Sequence, residues 1–489
     1  MKVVLALACS MVPALVLAQT PPPGPVPAPN VPPALVSERV TCQWEGPSAD
    51  AQHICAGRLD GRWLLRCAGP NRCTAMVYGP LGAKVKWTST ASPEYRDTTI
   101  TGQNKTILFP SLPKSAQIVR GPWIGNVGTD HATVRWETNG LAQAHLLNAA
   151  AGFVWTTGTS LPLPSGRYRH SVTLSALSPG QSQTVQLMDL STPKWANFRT
   201  IPTGSIPFRF VSFGDYQCGD PGLLQGILPQ VGQGSHFFVS TGDMIDSYGG
   251  CNWDSFFGAA TFLSQGAFYP AQGNNDPLPD WIDLFAFPQP ISLSKRYYSF
   301  SYSNTKFLVL YSGEQDSLPA GHKQFPPKSA TVNCTNPASQ TDFVDCELAA
   351  AMKSASIRHV IVVLHMPPLT YPGPSAHTSN QDELDNLVPL LEGTPKVRAV
   401  LAGHNHFYQR ILKSNPLARR GRIHYLVSGG GGATLYSPVA NPSSIPDLKK
   451  QEAAFHFAIW DVTETGISVT IKRYNPQTKA FSTIETVQM

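Results

Sequence analysis

The sequence predicts an α/β domain preceded by an all-β sandwich and a small cysteine-containing module. From residue 207 onward, short apolar runs alternate with helix-like stretches, which is typical of a buried sheet covered by helices. Between residues 117 and 201, runs of alternating apolar and polar residues predict half-buried strands. Four cysteines lie between residues 42 and 73. A chain of 489 residues also exceeds one ordinary domain, so several domains are expected.

The N-terminal region predicts an export signal followed by a linker. Lys2 precedes an apolar stretch over residues 3–17, and Ala18 offers a small-residue cleavage site, so residues 1–18 are predicted to be a signal peptide. Residues 19–39 are rich in proline and predict an extended linker. Because no later run of about 18 apolar residues occurs, no membrane span is expected after cleavage. The protein is therefore predicted to be secreted or periplasmic.

The cysteines predict disulfides in an oxidising compartment. Eight cysteines follow the predicted signal peptide, and an even number in an exported chain is typical of disulfide pairing. Cys334 and Cys346 are close enough in sequence for a local pair, but the spacings leave the connectivity open. The first four lie in the module over residues 40–115. They predict a β structure stapled by disulfides. A zinc site is the alternative, and the lack of paired C-x-x-C spacing argues against it.

Residues 117–201 predict a β-sandwich of immunoglobulin-like or fibronectin-like type. Residues 132–136, 169–174 and 184–187 alternate apolar and polar side chains, as strands with one buried face do. Turn residues separate these runs, and residues 174–180 resemble the strand-and-turn signature of fibronectin type III modules.

Residues 207–485 predict an α/β domain whose strands end on polar residues. Helix-like stretches over residues 342–353 and 381–391 lie between the apolar runs. Open α/β sheets bind ligands at the carboxyl ends of their strands, where these polar residues lie. The four runs are residues 208–213, 237–241, 360–364 and 397–402.

Five motifs follow one another along this region. Any one of them alone is better explained by a buried, hydrogen-bonded polar residue, but core packing does not readily produce the ordered series. The motifs are Gly214-Asp215, Gly242-Asp-Met-Ile-Asp246, Gly273-Asn-Asn-Asp276, His365-Met-Pro367 and Gly403-His-Asn-His406.

These motifs resemble the metallophosphoesterase series D-x-[HG], GD-x-x-[DY], GNH-[DE], H and GH-x-H of the calcineurin-like superfamily. The preceding β-sandwich is similar to the arrangement in purple acid phosphatases. The resemblance implies a four-layer α/β/β/α sandwich over residues 207–485. It also implies two metal ions, for which carboxylate, imidazole and amide ligands suit Fe, Zn or Mn.

The resemblance assigns a ligand role to six residues that match the series. It implies that Asp243 bridges the two ions, that Asp215 and His406 bind the first, and that Asn274, His365 and His404 bind the second. Two ions about 3.5–4 Å apart can hold a phosphoryl group and activate a bridging water for attack on phosphorus.

Two positions depart from the purple acid phosphatase pattern near the first ion. Asp246 stands where that branch carries the tyrosine responsible for its colour, so the protein is not expected to be purple. In the wider superfamily this carboxylate orients a catalytic histidine, and Asp246 is assigned that role. Gln217 stands where the superfamily has a histidine or a glycine. Its amide is either a metal ligand through its oxygen or a hydrogen-bonding neighbour of the centre.

A third departure concerns proton transfer. Asn275 replaces the histidine of GNH-[DE]; an asparagine donates hydrogen bonds but has no titratable proton near neutral pH. Asn275 is expected to stabilise the phosphoryl group without protonating the leaving group. His377, in a Pro/Gly-rich segment, is either a compensating substrate-side histidine or a solvated loop residue.

The predicted function is a secreted, acid phosphatase-like phosphoesterase with two metal ions, acting on small phosphomonoesters. Gln217 and Asn275 motivate one alternative, a degenerate member used for binding or cell-surface attachment. A nucleotidase or phosphodiesterase, which would share the metal site, is the other. The net charge is +6 without a long Lys/Arg run, so no nucleic-acid partner is expected.

Overall fold

A computed structural model of the chain describes most residues from 35 onward. The predicted signal peptide and the linker up to residue 34 lie outside the described residues. Residues 35–39, predicted as linker, instead begin the first strand. Two compact units are present, one ending at Pro110 and one within residues 111–489. The described ranges are 35–45, 53–59, 62–69, 72–80, 83–89, 92–110, 116–140, 142, 144–148, 150, 154–188, 190–313, 324–414 and 422–489.

The first unit is entirely β in its described part, as predicted for the small module. Its strands are β1 Leu35–Glu45, β2 His53–Leu59, β3 Arg62–Gly69, β4 Arg72–Pro80, β5 Lys84–Ser89, β6 Ser92–Thr99 and β7 Lys105–Pro110. They form the sheets β4-β1-β7 and β3-β2-β5-β6. Cys42 and Cys73 lie opposite each other in the β1–β4 ladder, and both are disulfide-bonded. These two cysteines are therefore not zinc ligands.

The second unit contains the remaining strands. They are β8 Ile118–Gly125, β9 Ala132–Thr138, β10 His145–Asn148, β11 Val154–Thr157, β12 Thr159–Pro162, β13 Tyr168–Leu174, β14 Ser182–Leu187, β15 Lys194–Arg199, β16 Phe208–Phe213, β17 Phe237–Ser240, β18 Ala267–Pro270, β19 Tyr298–Tyr302, β20 Thr305–Val309, β21 His359–Val363, β22 Val397–Ala402, β23 Tyr408–Ser414, β24 Arg422–Ser428, β25 Leu448–Glu452, β26 Phe455–Val462, β27 Ile467–Asn475 and β28 Ala480–Gln488.

Short helices cover the outer faces of this unit. They are α1 Pro221–Gln225, α2 Ile227–Val231, α3 Trp253–Ala259, α4 Leu278–Leu284, α5 Gln340–Lys353 and α6 Val388–Glu392, with 3₁₀ turns at Gly232–Gly234, Thr261–Ser264 and Pro442–Ser444 and a π-helical turn at Glu383–Leu387. None of the helices in the described ranges is long and apolar enough to cross a membrane.

Two of the helices match the sequence prediction closely. α5 begins two residues before the predicted start at 342, because the Ser339 side chain accepts the Asp342 N–H and caps the helix. The stretch predicted over 381–391 is a π-helical turn that runs directly into α6. The predicted pair Cys334–Cys346 forms a disulfide.

Residues 118–199 form the predicted β-sandwich. The sheet β11-β10-β14-β15 faces the strands β12, β13, β9 and β8. Trp136 and Val172 of one face share a buried core with Leu146 and Phe198 of the other, so the two sheets pack face to face. The more specific assignment to the fibronectin type III type stays a prediction.

The sandwich shares a sheet with the α/β region. β8 pairs in parallel with β18 at Ile124 and Ala267, which makes one ten-stranded sheet of order β12-β13-β9-β8-β18-β17-β16-β26-β27-β28. The predicted regions 117–201 and 207–485 therefore lie within one compact unit.

Two sheets packed face to face carry the α/β region. The second has the order β19-β20-β21-β22-β24-β23-β25. Strands of both are buried on both faces: Phe210 and Ile361 point into the core between the sheets, whereas Val211 and Val360 point toward the outer helices. The predicted four-layer α/β/β/α sandwich is confirmed.

Candidate metal centre

The candidate residues follow the carboxyl ends of strands from both sheets. Asp215 follows β16, Asp243 follows β17 and His404 follows β22. All three have positive φ angles, of 58°, 51° and 65°. A left-handed conformation costs a non-glycine residue about 1–3 kcal/mol and persists only where the surroundings enforce it. Three such residues turned toward one point indicate a functional site.

The glycines of the motifs allow the carboxylates to come close to the backbone. A Cβ atom at Gly403 would lie 2.2 Å from the Asp215 Oδ2 atom, and one at Gly273 would lie 2.0 Å from the Asp243 Oδ1 atom. No side chain fits at such distances. The glycines therefore shape the site, and this explains their place directly before His404 and Asn274.

One side of the centre, which we call the histidine side, consists of Asn274, His365 and His404. The His365 Nε2 atom lies 2.8 Å from Asn274 Oδ1 and 3.4 Å from Asp243 Oδ1. Its Nδ1 atom donates to the Thr241 carbonyl at 3.0 Å, which fixes the ring. The His404 ring centroid lies 5.1 Å from that of His365.

Charge and burial set the protonation of these two histidines in opposite directions. Burial opposes the charged form of His365, but the charge and hydrogen bond of Asp243 raise its pKa to about 9. Burial and the neighbouring His365 lower the pKa of His404 to about 2. His404 is therefore neutral, the form in which imidazole binds a metal ion.

A second group of candidate ligands, which we call the aspartate side, consists of Asp215 and His406. Asp215 Oδ1 accepts the His404 backbone N–H at 2.8 Å, and Oδ2 is buried without a hydrogen-bond partner. His406 Nδ1 donates to the Thr434 carbonyl at 2.8 Å, which leaves Nε2, 3.6 Å from Asp215 Oδ1, as an acceptor. Burial raises the pKa of Asp215 well above its usual range.

Asp243 accepts several hydrogen bonds, and its ligand atom lies within 4.8 Å of those of both Asp215 and His365. Its Oδ2 atom accepts the side-chain amides of Gln217 at 2.8 Å and Asn275 at 2.7 Å. Its Oδ1 atom accepts the Asn275 backbone N–H at 2.8 Å. Burial opposes ionisation, but the charge of His365 and the hydrogen bonds from His365 and Asn275 hold the pKa of Asp243 below its usual range.

The donor set fits metal ions. Asp215, Asp243 and His365 each offer a ligand atom, and these atoms lie within 4.8 Å of one another. The buried Asp215 Oδ2 atom lacks a partner that a cation would supply. Carboxylate, imidazole and amide oxygen together suit Fe, Zn or Mn.

Gln217 and Asn275 therefore reach the centre, and the side-chain amide of each donates a hydrogen bond to Asp243. This geometry agrees with the hydrogen-bonding role considered for Gln217, since its nitrogen rather than its oxygen faces the carboxylate. The disulfide Cys218–Cys251 ties the residue after Gln217 to the loop that follows Asp246.

His377 and Asp246 occupy different environments. The exposed His377 ring packs against that of His404, with centroids 4.1 Å apart. Asp246 Oδ1 accepts the backbone N–H groups of Tyr248 at 3.1 Å and Gly249 at 2.8 Å, so its carboxylate stabilises its own turn. The catalytic role predicted for Asp246 gains no support from these contacts.

Sequence reasoning missed two residues of the site. The buried Asp276 carboxylate accepts the N–H groups of Asp243, Met244, Ile245 and Gly273, at 3.0–3.3 Å, and so holds the Asp243 turn. Its place in Gly273-Asn-Asn-Asp276 was a usable signal. Tyr436 stacks on His406 with centroids 4.2 Å apart, and no motif in the sequence indicated it.

Comparison with known proteins agrees with this architecture. Residues 208–408 match the family model of calcineurin-like phosphoesterases. A search of curated protein sequences finds no match. The structure is similar to purple acid phosphatase PPD1 from yellow lupin seeds, with a TM-score of 0.60 and 14% identity over 92% of this chain and 95% of that chain.

Two other solved structures are similar over part of the chain. PhoD has a TM-score of 0.49 and 11% identity over 76% of this chain and 92% of its own. A dimetal phosphatase from Danio rerio has a TM-score of 0.39 and 15% identity over 57% of this chain and 98% of its own. From the family match and the strand-end motifs, residues 208–408 are a calcineurin-like phosphoesterase domain, in a chain whose fold resembles that of a purple acid phosphatase.

Proposed function

We propose that the protein is a metal-dependent phosphoesterase that hydrolyses small phosphomonoesters outside the cytoplasm. The observation that carries this proposal is the buried cluster of Asp215, Asp243 and His365, whose ligand atoms lie within 4.8 Å of one another at the strand ends. The disulfides Cys218–Cys251 and Cys334–Cys346 support an oxidising compartment.

Each side of the centre would hold one ion. Asn274, His365 and His404 would bind one, Asp215 and His406 the other, with Asp243 between them. When bound, the ions would supply Lewis-acid stabilisation of the phosphoryl group and an activated water for attack on phosphorus.

Two of the chain's own residues would orient the substrate beside the centre. Asn275 uses one amide proton on Asp243, which leaves its second proton for a phosphoryl oxygen. The exposed His377, beside His404, is placed to hydrogen-bond the substrate. Asparagine cannot protonate a leaving group, so we expect rates to depend steeply on leaving-group pKa. A flat dependence across a series of aryl phosphates would show that another group supplies the proton.

The test combines metal content with turnover on one purified sample. Elemental analysis of the full chain should find bound Fe, Zn or Mn, and the same sample should hydrolyse an aryl phosphate. Asp243→Asn should lower turnover by about 10²-fold or more, because that carboxylate lies close to ligand atoms of both sides of the centre. A panel with a nucleotide and an activated diester separates phosphomonoesterase activity from the nucleotidase or phosphodiesterase alternative.

A specific observation favours the second candidate, a binding or cell-surface module. Gln217 and Asn275 hold Asp243 with protein hydrogen bonds, which a site without metal ions would require. Absence of bound metal, together with no turnover after addition of Fe, Zn and Mn, would establish this alternative over the enzyme.

A further inference from the structure

The two departures from the family motifs meet at one atom. Gln217 and Asn275 come from different strand-end turns, yet both side-chain amides donate to Asp243 Oδ2, at 2.8 Å and 2.7 Å. Two independent losses of ligand or acid residues would not need to converge in this way. We call these two side chains the amide clamp.

The amide clamp uses the acceptor capacity of Asp243 unequally. Each carboxylate oxygen has about two in-plane lone-pair positions. On Oδ2, both positions are taken by the amides of Gln217 and Asn275. On Oδ1, one is taken by the Asn275 backbone N–H, and His365 Nε2 lies 3.4 Å away on the other side. Asp243 therefore keeps free acceptor capacity on Oδ1 only, the oxygen that lies 3.4 Å from His365 Nε2.

Gln217 is held in this position by its own backbone. Gln217 and Cys218 both have positive φ angles, of 43° and 54°. The Gln217 N–H donates to the Asp243 carbonyl at 3.3 Å, and Cys218 is bonded to Cys251. The backbone that carries the Gln217 side chain is therefore part of a fixed turn beside Asp243.

We propose that the amide clamp makes the two metal sites unequal, with a strong site on the histidine side and a weak site on the aspartate side. The inference rests on the proposed function, since it concerns the same two ions. The strong site keeps Asn274, His365 and His404 together with Asp243 Oδ1. The weak site keeps Asp215 and His406, and lacks both Asp243 Oδ2 and a ligand from position 217.

The experiment is a calorimetric titration of the chelator-treated full chain with Zn²⁺, repeated with Mn²⁺ and checked by elemental analysis. We expect two binding steps whose dissociation constants differ by at least about 10–100-fold, the loss typical of a disturbed ligand environment. The weaker ion should be lost on dialysis, which leaves about one ion per chain.

Gln217→His tests the clamp itself. The imidazole offers a ligand to the aspartate side and removes an N–H group from Asp243 Oδ2, so the weaker dissociation constant should fall by about 10–100-fold. Gln217→Leu removes the N–H group without offering a ligand and should give a smaller gain. Gln289→His is the matched control, because Gln289 bonds to Ser299 instead of the centre, and it should leave both constants unchanged.

The outcomes separate this inference from the proposed function. Two ions of equal affinity in the unchanged protein, or no effect of Gln217→His in a variant with unchanged thermal unfolding, would overturn the unequal sites and leave the phosphoesterase standing. Binding of no ion to the unchanged protein would overturn both. Two steps of unequal affinity that converge in Gln217→His would establish the clamp.

Discussion

The two sides of the centre differ in how they have kept the family pattern. The histidine side retains Asn274, His365 and His404, and the Nε2 atom of His365 lies 2.8 Å from Asn274 Oδ1. The aspartate side retains Asp215 and His406, whose nearest ligand atoms are 3.6 Å apart, but has no ligand side chain at position 217. Position 217 therefore supplies a hydrogen bond to Asp243 instead of a ligand to the aspartate side.

This difference shows how a motif can change without losing its geometry. Gln217 and Asn275 stand where the resembled family motifs carry groups that bind metal or transfer protons, and both amides donate to Asp243. A buried carboxylate left without partners would cost far more than one that accepts hydrogen bonds. The contacts therefore preserve the position of Asp243 while its capacity for metal changes.

The largest expected effect is on the residue that both sides share. Asp243→Asn should lower kcat/KM for an aryl phosphate by about 10²-fold or more, since metal-ion stabilisation of the phosphoryl group is worth several kcal/mol. Steady-state kinetics at saturating metal is the measurement. If the variant kept a tenth of the activity, Asp243 would not be the carboxylate on which the metal ions depend.

The two sides should also respond differently to loss of a histidine. His365→Ala should lower the affinity for the ion on the histidine side and reduce kcat/KM by about 10²-fold, whereas His406→Ala should act only on the ion on the aspartate side and reduce kcat/KM by about 10-fold. Metal titrations of both variants check this order. Equal losses, or a larger loss in His406→Ala, would reverse the comparison between the sides.

Asp276→Ala tests the support beneath both sides. The change leaves buried N–H groups of Asp243, Met244 and Gly273 without an acceptor, at a cost of about 1–3 kcal/mol for each unsatisfied group. Denaturant unfolding should show a loss of about 3 kcal/mol or more. Asp276→Asn, which keeps one acceptor, should lose less; equal losses would mean that the carboxylate is not the anchor.

Glu137 provides a change remote from the centre. Its buried carboxylate pairs with Arg120 at 3.1 Å and Arg169 at 2.8 Å in the sandwich. Glu137→Gln should lower the free energy of unfolding by about 2 kcal/mol, since hydrogen bonds to charged groups contribute about 1.5–3 kcal/mol. The ratio of the two metal dissociation constants should not change. A changed ratio would show that the two sides depend on the sandwich.

The smallest effect concerns pH. The hydrogen bond from Arg167, together with Arg120, holds the pKa of Asp254 at about 2, below its usual 3.8. A lowered pKa contributes stability that is present above about pH 4 and is lost as the pH falls toward 2. Because Asp254 is partly exposed, the contribution should stay below about 1 kcal/mol. Asp254→Asn should reduce the pH dependence of the free energy of unfolding between about pH 4 and pH 2 by that amount. An unchanged pH dependence would contradict the pairing of Asp254 with the two arginines.

Much of this architecture could be predicted from the sequence, because strand ends and glycines leave local signals. The runs before Asp215, Asp243 and His404 have the length and apolarity of buried strands, and the glycines before them mark close backbone approaches. These signals predict buried strands with polar residues at their carboxyl ends, whereas the four layers and the grouping of the metal ligands come from the resemblance to metallophosphoesterases.

Other features depend on contacts between distant segments. The amide clamp joins Gln217 to Asp243 and Asn275 from other turns, and only the folded chain shows which atom of each amide faces the carboxylate. The pairing of β8 with β18 rests on a single register pair between Ile124 and Ala267, which leaves no pattern in either segment. Sequence periodicity shows which face of a strand is buried, but it does not show which other segment packs against that face.

The most direct test of the unequal centre is anomalous diffraction from crystals of the full chain supplied with one equivalent of Zn²⁺. We expect a single strong peak beside Asn274, His365 and His404, with little density beside Asp215 and His406. Equal peaks on both sides, or a single peak on the aspartate side, would contradict the account.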